Sequence, residues 1–145
     1  MVYTATVFDE DDYRKGRTTV TALHVHLVFV TKYRRKVFEA EHIDHLCRTF
    51  RQVCADFDSV LAACDGEDDH VHLHLEYPPT VQLSKLINSL KGVSSRLIRR
   101  DFPNLKKRVW KGQHLWSPSY FAASCGGAPL SVVKQYVESQ RTPGS

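Results

Sequence analysis

The chain has 145 residues, 42% of them hydrophobic and 25% charged, which suits one globular domain with its own core and excludes collagen-like or disordered classes. No apolar run is long enough to cross a bilayer, and the acidic N-terminus lacks the pattern of a signal peptide, so no membrane role is expected and the cytoplasm is the expected location. The net charge of +4 assigns no partner by itself, but nine basic residues against one acid lie between Lys85 and Lys111, and Lys32-Tyr33-Arg34-Arg35-Lys36 makes a second basic cluster.

Taken in order, residues 1–17 are an acidic leader without periodicity. Thr18 to Thr31 alternates and is rich in Val, Leu, Thr and Phe, which predicts a strand. From Ala40 to Phe57 the residues Ile43, Leu46, Cys47, Phe50, Val53, Cys54 and Phe57 fall at helical spacing, leaving His42 and His45 on the surface. Ser59 to Cys64 is a short apolar strand, joined by an acidic turn to the strand His70–Tyr77. A second helix spans Val81 to Arg100, with Leu83, Leu86, Ile87, Leu90, Leu97 and Ile98 inward and Lys85, Lys91, Arg96, Arg99 and Arg100 outward. Leu115 to Ser124 contains Pro118 and fits an edge strand. Gly126-Gly127 is a joint, Pro129 opens a helix that runs over 128–140, and 141–145 is a tail. The order β-α-β-β-α-β plus a helix predicts an α+β, ferredoxin-like (RRM-like) antiparallel sheet with helices on one face, and a single domain over 1–145.

Cys47, Cys54, Cys64 and Cys125 form no C-x-x-C pair, and they are expected to be reduced thiols without a disulfide or a structural zinc. Basic stretches interleaved with Tyr33, Phe38, Trp110 and Trp116 suit a polyanion that also stacks, such as single-stranded nucleic acid; solvated helix faces are the plainer alternative.

Asp69-His70-Val71-His72-Leu73-His74-Leu75 alternates strictly, so the three histidines share one strand face. Two neighbouring imidazoles on a strand can hold one metal ion, or they can simply be solvated. His24-Val25-His26 repeats the pattern, so the motif alone does not select a site. Tyr136 and Gln140 lie four apart on one helix face. A tyrosine there is commonly a packing residue; with a His-x-His strand it adds a nucleophile and a third neutral ligand.

These pieces together resemble the single-tyrosine HUH transposases of insertion sequences, the IS200-like family. The resemblance rests on His26–Phe38, Asp69-His-Val-His-Leu73, Leu90-Lys-Gly-Val-Ser-Ser-Arg96, Leu115-Trp-Ser-Pro-Ser-Tyr-Phe121, Gly126-Gly127 and Gln135-Tyr-Val-Glu-Ser-Gln140, in register over about residues 22 to 141. It implies that Tyr136 is the nucleophile and that His70, His72 and Gln140 are the metal ligands, a donor set that suits Mg²⁺ or Mn²⁺, although zinc would also bind two histidines. His74 departs from the pattern, where the family has an aliphatic residue, and is a rival ligand. The resemblance further implies cleavage and rejoining of single-stranded DNA beside a hairpin, a 5′-phosphotyrosine intermediate, and a homodimer in which the tyrosine helix acts in cis or in trans. Charge and position make Lys32, Tyr33, Arg34, Arg35, Lys91, Arg96 and Arg99 the candidate DNA contacts. A domesticated relative acting on chromosomal repeat hairpins, a non-catalytic nucleic-acid-binding module and a metal-dependent hydrolase are the competing readings.

Overall fold

The computed structural model describes residues 22–107, 114–124 and 136–140. Its elements are β1 (Leu23–Val30), α1 (Ala40–Asp56), β2 (Val60–Gly66), β3 (His70–Tyr77), α2 (Leu83–Asp101) and β4 (Phe121–Ser124), and residues 136–139 are helical. The strands lie in the order β2-β3-β1-β4 with every neighbouring pair antiparallel. This is the ferredoxin-like α+β arrangement that the element order predicts. The leader, Trp110, Gly126-Gly127, Pro129 and the tail fall outside the described residues.

Alternation on the two central strands sets the core. Val25, Leu27 and Phe29 of β1 and Val71, Leu73 and Leu75 of β3 point to one face. They meet Leu46, Phe50, Val53 and Cys54 of α1 and Leu86, Ile87, Leu90 and Ile98 of α2, all buried. Both helices therefore cover the same face, as their apolar stripes require. His45 Nε2 and an Asp101 carboxylate oxygen, 2.8 Å apart, tie the two helices at their solvent edge.

Four expectations are corrected. The edge strand is shorter than Leu115–Ser124: β4 begins at Phe121, and ahead of it Trp116 makes an isolated bridge to Thr31, just past the end of β1. Pro118 has no N–H to give a ladder, so the chain before β4 is held by single bonds, Lys32 N–H to Leu115 O and Ser117 N–H to Val30 O. Trp116 and Phe38 are core residues, 5.5 Å apart between ring centres, and neither is available to stack on a base. His42 is buried at the start of α1, where its Nδ1 accepts the Glu39 N–H in a reciprocal cap. Cys47 of α1 and Cys64 of β2 face each other and are joined as a disulfide, with Cα atoms 5.8 Å apart; Cys54 is a buried free thiol, its pKa pushed up to about 12 by burial, and Cys125 lies outside the described residues. Cysteine usage thus no longer argues for a reducing compartment.

Gly66 closes β2 against the histidine strand. A Cβ there would stand 2.7 Å from the His70 carbonyl oxygen and 2.9 Å from Ile43 and Val71 side-chain atoms. The nearest obstacle is backbone, so it cannot rotate away. Gly66→Ala is expected to destabilise the fold by about 1–3 kcal/mol, read from the midpoint of urea unfolding. An unchanged midpoint would show that the hairpin yields freely.

Candidate active site on the second face of the sheet

The sheet face turned away from α1 and α2 carries His70, His72 and His74. The register sets Val30 opposite His70, Val28 opposite His72 and His26 opposite His74. The His70 and His72 rings lie 4.9 Å apart between centres and nearly perpendicular, at 80°. Val28 and Val30 are fully buried although they point away from the main core. They are covered by Val137, with Phe121 and Tyr136 packed alongside in a small second cluster. The final helical turn therefore docks by hydrophobic burial on the face that bears the histidine pair.

Docking brings Tyr136 and Gln140 to the segment before β4. The Tyr136 hydroxyl is 3.2 Å from Ser119 Oγ, and its ring is 5.5 Å from that of Phe121. Ser117 Oγ and Ser119 Oγ each donate to Gln140 Oε1 at 3.0 Å. With the Ser119 proton turned to Gln140, the tyrosine hydroxyl is the donor to Ser119. Burial raises the Tyr136 pKa. Sequence reasoning missed Ser117 and Ser119; the signal was their place in the Leu115–Phe121 motif, whose hydroxyls were given no role.

The histidine pair has the chemistry of a metal site. His70 Nδ1 is 2.7 Å from Asp69 Oδ1, so the buried carboxylate accepts the Nδ1–H hydrogen bond and Nε2 is the nitrogen that could ligate a cation. The exposed Glu67 carboxylate is 3.4 Å from that Nε2. Burial lowers the His72 pKa, and His70 and His26 lower it further, which keeps the imidazole neutral and able to ligate. These two residues fit a divalent cation. The Gln140 oxygen is taken up by Ser117 and Ser119 and would have to exchange those bonds for a metal. His74 turns to other histidines: its Nε2 is 3.3 Å from His24 Nδ1 and its ring centre 5.7 Å from that of His26. Among the described residues, Glu39, Glu41 and His42 form a separate group with ligand atoms close together, which the α1 cap already accounts for.

Four of the seven candidate DNA contacts come together. Lys32, Lys91, Arg96 and Arg99 line one cavity of about 900 Å³, with Arg100, His114 and Pro118 on the same wall. Lys91 Nζ donates to Ser117 O at 2.8 Å and sits 5.6 Å from the centre of the exposed Tyr120 ring, an aromatic that sequence reasoning passed over. Burial lowers the Lys91 pKa. Tyr33, Arg34 and Arg35 do not line this cavity. Tyr33 is exposed, and Arg34 turns inward to an ion pair with Asp69.

A family model described as "Transposase IS200 like" matches residues 19–140. The ISDra2 transposase TnpA of Deinococcus radiodurans is 33% identical over 129 residues, which is 89% of this chain and 91% of that protein. The transposase for insertion sequence element IS200 of Salmonella typhimurium is 28% identical over 115 residues, covering 79% and 74% of the two chains. Among solved structures, a Deinococcus radiodurans R1 transposase superposes with a TM-score of 0.80 at 34% identity, covering 89% of this chain and 98% of that one. A REP-associated tyrosine transposase bound to a REP hairpin shares the fold, with a TM-score of 0.53 at 13% identity over 87% of this chain and 67% of that one.

The His74 cluster makes stability depend on pH. Burial, then His24 and His26, lower the His74 pKa to about 4 from the ordinary 6.5. The unfolded chain binds the proton first, so stability is full above pH 6.5 and falls as pH drops towards 4. In metal-free protein this loss is expected to reach about 1–3 kcal/mol and to shrink in His74→Leu, measured by urea unfolding at pH 7.5 and pH 4.5. Equal losses in both proteins would assign the acid sensitivity elsewhere.

Proposed function

Because this chain belongs to the IS200-like transposase family, we propose that it cleaves and rejoins single-stranded DNA at insertion-sequence ends with Tyr136 as the nucleophile. The observation that carries this reading is the convergence of Tyr136 and Gln140 on the sheet face that holds His70 and His72, through Val137 on Val28 and Val30. A binding module needs no such convergence, and a hydrolase using water would not need the tyrosine.

The chemistry balances without an external energy source. The Tyr136 oxygen forms a bond to the scissile phosphorus, the bond to the 3′ oxygen breaks, and the leaving strand takes a proton as a free 3′-OH. A DNA 3′-OH then attacks the phosphotyrosine and returns the phenol. Ser119 orients the Tyr136 hydroxyl beforehand. Asp69 holds His70 in the tautomer that presents Nε2. His70, His72 and Gln140 would hold Mg²⁺ or Mn²⁺, an ion that when bound draws charge from the phosphate oxygens. The cavity of Lys32, Lys91, Arg96 and Arg99 adjoins the site through Ser117 and Pro118, and it is suited to the sugar–phosphate chain of a hairpin flank, with Tyr120 as a stacking surface. On this reading the protein acts in the cytoplasm, at the nucleoid, as a homodimer. The contacts that dock 136–140 on its own sheet would serve equally for a segment exchanged between copies.

Labelled single-stranded oligonucleotides from the flanks of its own gene, incubated with Mn²⁺ or Mg²⁺ and run on a denaturing gel, test the nucleophile. A protein-linked band is expected that needs metal, disappears in Tyr136→Phe and falls about 10²-fold in His72→Ala, the loss typical of one charge-stabilising group. Metal-dependent cutting that survives Tyr136→Phe would assign water as the nucleophile instead.

The cavity is tested separately by binding. Arg96 is exposed and Arg96→Ala should leave the fold intact. It is expected to weaken single-strand binding and to lower the slope of log affinity against log salt by about 0.7, one phosphate contact. An unchanged slope would remove Arg96 from the interface.

A further inference from the structure

Arg34 sits between the two halves of the site and belongs to neither by sequence. Its Nε is 2.6 Å from Asp69 Oδ2, and its Nη1 is 3.2 Å from Glu138 Oε2 on the final helical turn. The other oxygen of Asp69 holds His70 Nδ1 at 2.7 Å. Ion-pair contacts run Glu138–Arg34–Asp69–His70, from the helix of Tyr136 to the proposed metal ligand, the Glu138 contact being an ion pair in which Nη1 makes no hydrogen bond. Its middle is enclosed: the side chain of Asp69 is 3% exposed and that of Arg34 18%, against 54% for Glu138.

The backbone is committed to this arrangement. Tyr33 and Arg34 both take positive φ, 60° and 55°, a conformation that costs a non-glycine residue energy and persists only where the surroundings enforce it. It turns the chain after β1 so that Arg34 points in while Tyr33 stays out. Thr31 fixes the receiving end: its N–H donates to the Asp69 carbonyl at 2.9 Å, and its hydroxyl lies 2.7 Å from the Arg35 carbonyl and 3.2 Å from that of Asp69.

We propose that Arg34 is a positioning residue: one guanidinium fork spans Asp69 and Glu138, so that docking of the Tyr136 helix and orientation of His70 favour each other. A lysine could not reach both carboxylates with fixed geometry, whereas the planar fork can. Losing Glu138 frees the fork to shift on Asp69, and Asp69 in turn holds the His70 tautomer less firmly. The coupling is reciprocal, so a His70 locked in its ligand tautomer keeps the fork placed for Glu138. This inference rests on the reading above that Tyr136 and His70 serve one site.

Two measurements on the metal-free chain test it without any cleavage assay. Amide hydrogen exchange of a peptide covering 136–140 reports docking, and the ¹⁵N signals of the His70 imidazole report its tautomer. Glu138→Gln keeps the side-chain volume and alters an exposed residue, so the fold survives it. It is expected to speed exchange in that peptide about two- to fivefold, the range for a partly exposed ion pair, and to move the His70 signals towards a mixed tautomer. In an Arg34→Lys background the same change should add nothing further. Unchanged exchange would overturn the proposal; so would faster exchange with the His70 signals unmoved. A coupling that holds in a protein unable to form phosphotyrosine would keep Arg34 as a positioning residue and discard the nucleophile instead.

Discussion

Strand β1 must bury side chains on both of its faces, and the rest of the molecule is arranged around that requirement. Val25, Leu27 and Phe29 complete the core beneath α1 and α2, while Val28 and Val30 are buried just as fully on the other side. A strand of an antiparallel sheet usually leaves one face to water. Here the second face holds a short apolar strip beside a row of histidines, and only another apolar surface can cover it. Val137 supplies that surface, and Tyr136 and Gln140 flank it in the same helical turn. Placement of the nucleophile candidate follows from removing two valines from water, with the polar contacts then fixing its orientation.

The segment between Leu115 and Tyr120 separates the basic cavity from the histidine face, and its rigidity comes from the core side. Trp116 is buried against Phe29 and Phe38, and its Nε1–H donates to Ser94 Oγ of α2 at 3.1 Å. A buried indole N–H needs such a partner. With Trp116 held, Ser117 and Ser119 turn to Gln140 and Tyr136, while the carbonyls of Ser117 and Pro118 receive the Lys91 ammonium from the cavity side. One anchored residue therefore positions polar groups for both compartments.

Much of this was legible in the sequence. Alternation in His70–Tyr77 gave the strand and its two faces, and the apolar stripes of both helices fell where the core is. Thr18 to Thr31 is expected to alternate, but Leu27-Val28-Phe29-Val30 is buried on both faces, since four consecutive apolar residues cannot all turn one way in a strand. What stayed hidden depends on distance in space. Spacing placed His42 on the surface because the cap that buries it joins it to Glu39 through a backbone N–H. Cys47 and Cys64 belong to different elements, and only the packing of α1 on β2 makes them neighbours. Trp116 and Phe38 resembled stacking aromatics because they sit among basic residues in the chain, yet they are core. Ser117 and Ser119 carry no signal of their own, being small hydroxyl residues beside a proline.

The basic cluster after β1 shows how charge alone misleads. Read along the chain, Lys32 to Lys36 is one polyanion-binding run. In space it divides: Lys32 faces the cavity, Tyr33 faces solvent, and Arg34 is spent on a buried carboxylate. A buried ion pair is weak evidence for stability, because desolvation of both charges offsets their attraction, and an apolar pair of similar volume often does as well. Two consecutive left-handed residues add further cost at the same place. Stability therefore does not account for Asp69 and Arg34. Geometry does: a carboxylate with one oxygen on His70 and the other on a planar fork has no freedom left to turn, and a histidine so held presents Nε2 in one direction only.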